Sequence, residues 1–543
     1  MRSLLPLVWG SFFSSPPPPV QLALLHANVV PMDSERVLID QTILVRDDRI
    51  VAVGANVPIP ADAAVVNLEG RWVVPGLADM HVHVNDEYDL PLLLASGVTT
   101  AVNMSGSPRH LLWREAVRAG MIAGPTLLTT GPMLDRKDDL LLGEMQAVHT
   151  PAEAEARVHE EKEAGYDFVK MHGDLEVGVY DALMDQARRD HLRVVGHLSE
   201  RVGLLHSMQK RQATVEHTEE YVWAWFDEAM DPAGIPDAVE ATLRGQAYVT
   251  PTLVSMDTLV ESLSDHPAFL ERSPSRDAMP RLERAVWENE KNPARRAYLP
   301  LREGLLRSRD LQRRLVSALA DGGVPLMAGT DVGWVPGLAY GESLVEEVQA
   351  LDRAGLGRWR ALEAATATPG RFVGGAEPFG QIAPGYRADL LVIDDNPLGD
   401  LHALSRVRGV MARGRWYDEA SLHALRDRDP GDGALAAAWL ADDPHACVEL
   451  ARTQGDALSP SRALTLAARL LDSGAPAQAQ AVLEIGAEHH PDDWALLTAL
   501  GRVLALRGDT VGSVRALDRA RLRAPMPAAT AFVQRSYQLA PPS

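Results

Sequence analysis

The sequence is poor in cysteine, in aromatic residues and in positive charge. The shortage of cysteine excludes certain kinds of site, and the shortage of positive charge argues against certain kinds of partner. Cys447 is the single cysteine among 543 residues, so neither an intrachain disulfide nor a cysteine-based zinc site can form. Any bound metal must therefore be held by histidine and carboxylate. Acidic residues number 74 against 53 basic ones, which gives a net charge of −21. This charge disfavours nucleic acid and anionic membrane surfaces as partners, because both would repel it.

Long apolar runs are also missing from the chain. Because no run of about 18 apolar residues occurs, we expect no membrane-spanning helix. Residues 1–21 carry Arg2 and a short apolar stretch before Pro16, a pattern that fits either a shortened export signal or a disordered segment. No small-residue cleavage site follows. The sequence therefore leaves open whether the protein is periplasmic or secreted, or instead cytoplasmic.

Strand-like segments flank a long region in which strands alternate with helices. Residues 22–70 and 376–420 contain apolar, partly β-branched runs that are bounded by turn residues. Between them, residues 71–375 contain candidate strands at 73–77, 98–102, 126–130, 168–171, 193–196, 213–215, 248–250 and 325–328. This pattern predicts an α/β fold, a (β/α)8 TIM-type barrel. The two β-rich ends are expected to pair into one small β-sandwich domain beside it.

Residues 432–543 are rich in alanine and leucine and repeat with a tetratricopeptide-like period. The repeated positions are Leu466, Leu470 and Gly474 in one copy and Leu500, Leu504 and Gly508 in the next. We predict an α-helical repeat domain that packs on the barrel or binds a second copy or another protein. An alanine-rich helical tail with coincidental spacing is the alternative, and Cys447 is expected to be a core residue of this part.

Residues able to bind metal stand at the ends of the candidate strands. His81 and His83 are two apart in extended chain, so both imidazoles project to one side, as a metal chelate requires. The same kind of position is held by Lys170, His197, His217 and Asp331. Because side chains at the carboxyl ends of barrel strands converge, we expect all of these residues to form one site.

The ordered motifs P-G-L-x-D-x-H-x-H, a strand-end lysine, G-H, E-H-T and A-G-T-D resemble those of the amidohydrolase superfamily. More narrowly, they resemble its binuclear imidazolonepropionase-related and prolidase-like branch. The resemblance covers about residues 22–420 and leaves the C-terminal repeats outside. It implies a hydrolase that uses two divalent metal ions, with zinc expected, to cleave an amide or peptide-like C–N bond of a small molecule. A dipeptide, an N-acyl amino acid and a cyclic amide are all compatible substrates.

The resemblance also assigns a role to each strand-end residue. The more buried ion would be held by His81, His83 and Asp331. The second ion would be held by His197 and His217. Lys170, N-carboxylated by CO₂, would bridge both ions. Asp331 would in addition take the proton of the attacking water and deliver it to the departing amine.

Tyr221 is a further candidate catalytic residue. It stands four residues beyond His217, from where its hydroxyl is expected to reach a substrate carbonyl or carboxylate. Arg201, close behind His197, is a weaker candidate of the same kind.

Two other functions compete with amide hydrolysis. His197-Leu-Ser-Glu200 is an H-x-x-E motif that resembles the signature of mononuclear zinc deaminases of nucleobases, a reaction that would leave Lys170 without a role. Alternatively, the barrel is catalytically inactive and the repeats make the chain an interaction protein. Metal content separates the three hypotheses, because they predict two ions, one ion and none.

Overall fold

The computed structural model describes residues 21–137, 144–226, 229–272, 279, 281–288, 298–335, 337–427, 433–441 and 443–537. The predicted signal-like segment lies outside the described residues except for Gln21. Within these ranges, no helix is both long and apolar enough to cross a membrane.

The strands are short, and they divide into one mixed sheet and several parallel ones. In chain order they are β1 Gln21–Val29, β2 Leu38–Arg46, β3 Arg49–Gly54, β4 Ala64–Asn67, β5 Trp72–Pro75, β6 Leu77–Val82, β7 Val98–Asn103, β8 Thr126–Thr129, β9 Met133–Asp135, β10 Met145–Ala147, β11 Phe168–Met171, β12 Arg193–Gly196, β13 Thr214–Glu216, β14 Tyr248–Thr250, β15 Leu390–Ile393, β16 Val407–Ala412 and β17 Arg415–Asp418.

Strands from both β-rich ends belong to one mixed sheet. Its order is β17-β16-β15-β5-β1-β2-β3, and β4 pairs with β1. The central strand β5 runs parallel to β1 and antiparallel to β15, so it joins the early and late parts of the chain. Leu24, Ile43, Val73, Leu390 and Met411 share a buried apolar cluster in this sheet. The two β-rich ends thus pair in a single continuous sheet, as the sequence predicted, and the folding of this sheet into a sandwich stays a prediction.

Gly76 divides the predicted strand at 73–77 between two sheets. Strand β5 ends at Pro75 in the mixed sheet, and β6 begins at Leu77 among the parallel strands. A Cβ atom on Gly76 would lie 2.2 Å from Oγ1 of Thr99 in β7, so only glycine permits the chain between β5 and β6 to approach β7 this closely. One apolar run therefore supplies two sheets, which alternation of residue types alone does not reveal.

The parallel strands form the sheets β6-β7-β8, β10-β9-β11-β12 and β13-β14. Single backbone contacts link neighbouring sheets: Thr130 bridges to Phe168, and the Ala213 amide donates to the Val194 carbonyl over 2.8 Å. Residues 325–328, predicted as a strand, form only a single bridge to β14, at Leu326. On their other side, the Met80 amide of β6 donates to the Ala328 carbonyl over 3.0 Å. Because this pairing is parallel, the carboxyl ends of the strands lie at the same edge.

Helices follow most of the parallel strands. The α-helices of this part are Asp89–Ala95, Pro108–Ala119, Pro151–Ala164, Val177–Arg189, Gly203–Gln209, Glu219–Tyr221, Ile235–Gly245, Leu253–Ser264, His266–Arg272, Arg281–Glu288, Arg302–Asp321, Glu342–Leu351, Arg358–Ala364 and Ala367–Val373. Their ends follow local sequence rules. Before Pro151, the Thr150 hydroxyl accepts from the Glu153 amide and the Glu153 carboxylate accepts from the Thr150 amide. The same helix stops at Gly165, which adopts φ +84°.

The chain ends in helices with a core of their own. They are Glu419–Arg426, Gly433–Leu440, Pro444–Gln454, Pro460–Asp472, Pro476–His489, Trp494–Leu506, Thr510–Arg523 and Pro527–Ser536. The helices that begin at Pro460 and Trp494 stand one sequence repeat apart. The repeated leucines and Cys447 are buried together. Leu112 of helix Pro108–Ala119 packs against this cluster, and Arg535 lies 3.0 Å from Glu160, so the helices contact the parallel-strand part of the molecule.

Candidate metal centre

Three of the predicted ligands converge at the end of β6. The Nε2 atoms of His81 and His83 lie 3.3 and 3.1 Å from Oδ1 of Asp331. Ligand atoms of all three residues fall within 4.8 Å of one another, and all three side chains are buried. The strand alternation that the sequence predicted thus places both histidines on the side that Asp331 faces.

The remaining two histidines lie beside this group. The rings of His81 and His217 are 4.5 Å apart, and those of His217 and His197 are 4.9 Å apart. Three residues here adopt left-handed backbone angles that are unfavourable for non-glycine residues: His217, Thr252 and Asp331, at φ +66°, +50° and +63°. Such conformations persist only where the surroundings impose them, and they are concentrated at functional sites.

Every one of the four histidines has an oxygen atom beside its Nδ1. The partners of His81, His83, His197 and His217 are Glu216 at 2.9 Å, Ser105 at 2.8 Å, Glu220 at 3.1 Å and Thr252 at 2.7 Å. A carboxylate can only accept a proton from the ring, so Nδ1 of His81 carries the hydrogen. Its Nε2 lone pair is then left for a ligand, which is the usual arrangement of metal-binding histidine.

Lys170 lies inside the same cluster at the end of β11. Its side chain is fully buried, and its Nζ has no hydrogen-bond partner among the described residues. Gly196, at φ +129° on the neighbouring strand, makes room for it, since a Cβ there would lie 3.1 Å from Cδ of Lys170. Burial lowers the pKa of Lys170, against the opposing effect of Glu216, Asp331 and Glu220. An ammonium group without a partner would be costly at this position.

The protonation states of three histidines and of Asp331 suit cation binding, whereas the carboxylates of Asp331 and Glu216 raise the pKa of His81 against burial and the charge of Lys170. Burial lowers the pKa of His83 to about 4 and that of His197 and His217 well below the usual range, so these rings are neutral near pH 7. Burial alone would raise the pKa of Asp331, but His217, His81 and His83 hold it well below normal. Neutral imidazoles and an ionised carboxylate are the forms that bind metal.

His172 and Asp135 form a pair at the edge of the cluster. Nδ1 of His172 lies 2.6 Å from Oδ2 of Asp135, and its ring is 4.5 Å from that of His197. The Asp135 carboxylate also accepts from the amides of Arg136 and Lys137. A Cβ on Gly173 would lie 2.3 Å from Oδ1 of Asp135, so glycine admits the carboxylate. The sequence gives no sign of Asp135, because its contact with His172 depends on how β9 and β11 pair.

The structure does not bring Tyr221, Arg201 or Glu200 to the metal ligands. The Tyr221 hydroxyl is fully buried and bonds to Thr242 over 2.8 Å, because the turn after Thr218 directs the ring into the apolar core. Arg201 pairs with Asp174 and Glu176, and Glu200 is solvent-exposed. The acid beside His197 is Glu220 instead, which the H-x-x-E motif does not indicate.

Aromatic residues lie around the opening of the site. Trp334 is half exposed, with its ring 5.2 Å from His83 and 6.1 Å from His172. Tyr340 donates to the carbonyl of His83 over 2.9 Å, which fixes the loop after Asp331 to the end of β6. Burial, together with the negative charges of Glu219 and Asp331, raises the pKa of Tyr298. The opening therefore combines apolar surface with carboxylates.

The donor set fits divalent metal. Neither His81 Nε2 nor Lys170 Nζ makes a hydrogen bond among the described residues, although Nε2 of His81 faces Oδ1 of Asp331 over 3.3 Å and Lys170 lies near Glu216, Asp331 and Glu220. One group consists of His81, His83 and Asp331, and the second of His197 and His217. Imidazole and carboxylate donors are typical ligands of zinc and similar cations.

Comparison with known proteins identifies the family. Residues 72–417 match the profile of the amidohydrolase family. The dihydroorotase of Anaeromyxobacter dehalogenans (strain 2CP-C) is 27% identical over 153 residues, which cover 27% of this chain and 31% of that enzyme. The chain thus spans about a third of the length of this curated relative.

Two solved structures share the fold. A prolidase complexed with N-methylphosphonate-L-proline has a TM-score of 0.57 at 21% identity, over 74% of this chain and 100% of that chain. A bottromycin amidohydrolase has a TM-score of 0.57 at 25% identity, over 78% of this chain and 91% of that chain. The resemblance seen in the sequence motifs is confirmed, and the chain belongs to the amidohydrolase family.

Proposed function

We propose that this protein hydrolyses an amide or peptide-like C–N bond of a small molecule, with two divalent metal ions at the mouth of a (β/α)8 barrel. One observation carries the proposal: the fully buried Lys170, whose Nζ makes no hydrogen bond to any described residue, lies near both groups of metal donors. The backbone contacts between successive parallel sheets support the barrel.

Lys170 is the residue that distinguishes a two-metal centre from a one-metal centre. Its lowered pKa favours the neutral amine, whose lone pair attacks the carbon of CO₂ and forms a new N–C bond. The nitrogen then releases a proton to water, which leaves a carbamate anion. This anion would hold the two ions together with His81, His83, His197 and His217, and the cost of burying an unpaired ammonium would disappear.

The protein residues then have separate tasks. When bound, the metal ions lower the pKa of water and polarise the scissile carbonyl. Asp331, held ionised by its histidine neighbours, accepts the proton of the attacking water and delivers it to the departing amine. Glu216 holds the imidazole of His81 in the tautomer that binds, and Ser105 orients the imidazole of His83.

The site favours amide hydrolysis over deamination. The deaminase interpretation needs Glu200 at the substrate and has no role for Lys170, whereas Glu200 is exposed and Lys170 is fully buried in the cluster. A prolidase and a bottromycin amidohydrolase share the fold, which supports an amide as the substrate class. Trp334 and Tyr298 at the opening suit a substrate with an apolar or acyl portion.

A substrate screen tests this function. Protein reconstituted with Zn²⁺ would be assayed against dipeptides, N-acyl amino acids and cyclic amides, with chelator-treated protein as the control. We expect amine release from at least one class, abolished by the chelator and restored by Zn²⁺. Release of ammonia from nucleobases without turnover of any amide would contradict the proposal.

A further inference from the structure

The C-terminal helices touch the loop that leaves the metal ligands. Residues 84–88, here called the first mouth loop, follow His83 directly. Residues 433–537 are here called the helical region, and Arg462 in its helix Pro460–Asp472 is 5% exposed. The guanidinium carbon of Arg462 lies 5.5 Å from the ring centre of Tyr88 in this loop. A cation against an aromatic face is attractive, and more so where water is excluded.

The start of the first mouth loop is fixed by the parallel-strand part of the molecule. The Val84 amide donates to Asn103 and its carbonyl lies 2.9 Å from Nε2 of His110. The side chain of Asn85 donates to the Gly333 carbonyl over 2.9 Å. These bonds hold residues 84 and 85, whereas the ring of Tyr88 lies against Arg462. The backbone of the far end is held by Asp89, whose carboxylate accepts from the Asn85 and Asp86 amides, and by Asp86, which accepts from the Tyr88 amide. The helical region therefore supports the Tyr88 side chain.

The charge of Arg462 favours the same contact, whereas Asp493 of the helical region repels Glu87 of the loop. Asp86 and Glu87 precede Tyr88, and burial raises the pKa of Asp86 to about 6, an effect that the charges of Arg462 and Arg109 oppose. The cation of Arg462 thus stabilises the ionised form of a loop carboxylate as well as facing the tyrosine ring.

A second loop at the site is also supported by the helical region. Helix Gly433–Leu440 packs against helix Arg281–Glu288, which carries the buried Trp287. Trp287 packs so closely on Gly337, at φ +106°, that a Cβ there would lie 2.4 Å from the indole. Gly337 belongs to the loop that follows Asp331, here called the second mouth loop, residues 332–335 and 337–341. The helical region therefore contacts the loop that follows His83 and supports, through Trp287, the loop that follows Asp331.

We propose that the helical region is part of the catalytic unit, with Arg462 a positioning residue that holds the first mouth loop through Tyr88. This inference rests on the proposed function, because the two mouth loops frame the place where a substrate would bind. It gives the helices a role that requires no partner protein. It also predicts that their influence appears in substrate binding, since Arg462 contacts the loop and none of the metal ligands.

A double-mutant cycle tests the contact. Arg462→Met and Tyr88→Leu remove one side of it each, and Tyr88→Phe keeps the aromatic face. Arg515→Met removes an exposed arginine from the same helical region and serves as the matched control. We expect each of the first two variants to raise KM about tenfold, with metal content unchanged, and the double variant to be no worse than either. Tyr88→Phe and Arg515→Met should match the unmodified protein.

Hydrogen exchange supplies a readout that does not depend on activity. We expect faster amide exchange in residues 84–88 of Arg462→Met and of Tyr88→Leu, with unchanged exchange in helices Trp494–Leu506 and Thr510–Arg523. Additive effects on KM, or unchanged exchange in the loop, would overturn the inference. If no amide is turned over, the proposed function fails while the exchange experiment still decides whether Arg462 positions the loop. If Arg462→Met does not fold, Tyr88→Leu against Tyr88→Phe decides the question from the other side.

Discussion

The Nδ1 atom of His81 lies 2.9 Å from Oε2 of Glu216, and both side chains are buried. The other carboxylate oxygen of Glu216 accepts a hydrogen bond from the Thr214 hydroxyl on the same strand. Glu216 is thus held in place from its own strand and fixes the ring of a histidine that is 135 residues earlier in the chain. Such carboxylate–histidine contacts set the orientation and basicity of a metal ligand.

Replacement of Glu216 should therefore weaken metal binding. In Glu216→Gln the amide no longer compels the hydrogen onto Nδ1, so we expect affinity for the ion of His81 and His83 to fall about 10- to 100-fold. Competition with a chromogenic chelator measures this. Glu200→Gln, at an exposed position, is the matched control. Equal affinity in the two variants would show that Glu216 does not support His81.

Asp331 should matter more for rate than for metal content. Asp331→Asn removes the group that transfers the proton, and we expect kcat to fall by a factor of about 10² to 10⁴. Because His81 and His83 remain, the variant should keep most of its metal. Asp310→Asn, an exposed aspartate on helix Arg302–Asp321, should leave kcat and metal content unchanged. Loss of all metal with no residual activity in Asp331→Asn would instead assign Asp331 a purely structural role.

His172 and Asp135 should support the second ion. The ring of His172 lies 4.5 Å from that of His197, so His172→Ala and Asp135→Asn are both expected to loosen His197. We predict about tenfold weaker binding of the second ion, measured by stepwise metal titration. His206→Ala breaks a similar contact, 2.7 Å to Asp181, away from the site and is the matched control. If all three variants titrate alike, His172 has no such role.

The strand-end residues could be read from the sequence because they follow apolar runs, and the structure places Lys170, His197, His217 and Asp331 with His81 and His83 in one cluster. The residues that support these ligands could not be read from the sequence. Glu216, Glu220 and Asp135 are ordinary acidic residues whose roles depend on contacts between distant strands. The division of one apolar run at Gly76 was equally hidden, since it depends on the approach of Thr99. Tyr221 was singled out by spacing, but the turn after Thr218 directs its ring into the core.

Glu347 should make the protein less stable as pH rises. It is buried, its carboxyl group accepts from the Val254 amide, and burial raises its pKa to about 8 from an ordinary 4.5. Between those values the unfolded chain releases a proton that the folded chain keeps, so the free energy of unfolding falls by about 1.4 kcal/mol for each pH unit. Glu347→Gln should lack this loss and melt higher than the unmodified protein at pH 9, but not at pH 4. An equal difference in melting temperature between the two proteins at pH 4 and at pH 9 would contradict this prediction.

Metal content of the unmodified protein and of Lys170→Ala tests the two-metal centre most directly. The measurement is inductively coupled plasma mass spectrometry on protein purified without chelators, with Lys162→Ala, an exposed lysine on helix Pro151–Ala164, as the matched control. We predict about two divalent ions per chain in the unmodified protein and in Lys162→Ala, and at most one in Lys170→Ala. One ion or none in the unmodified protein, or two ions retained without Lys170, would contradict the account.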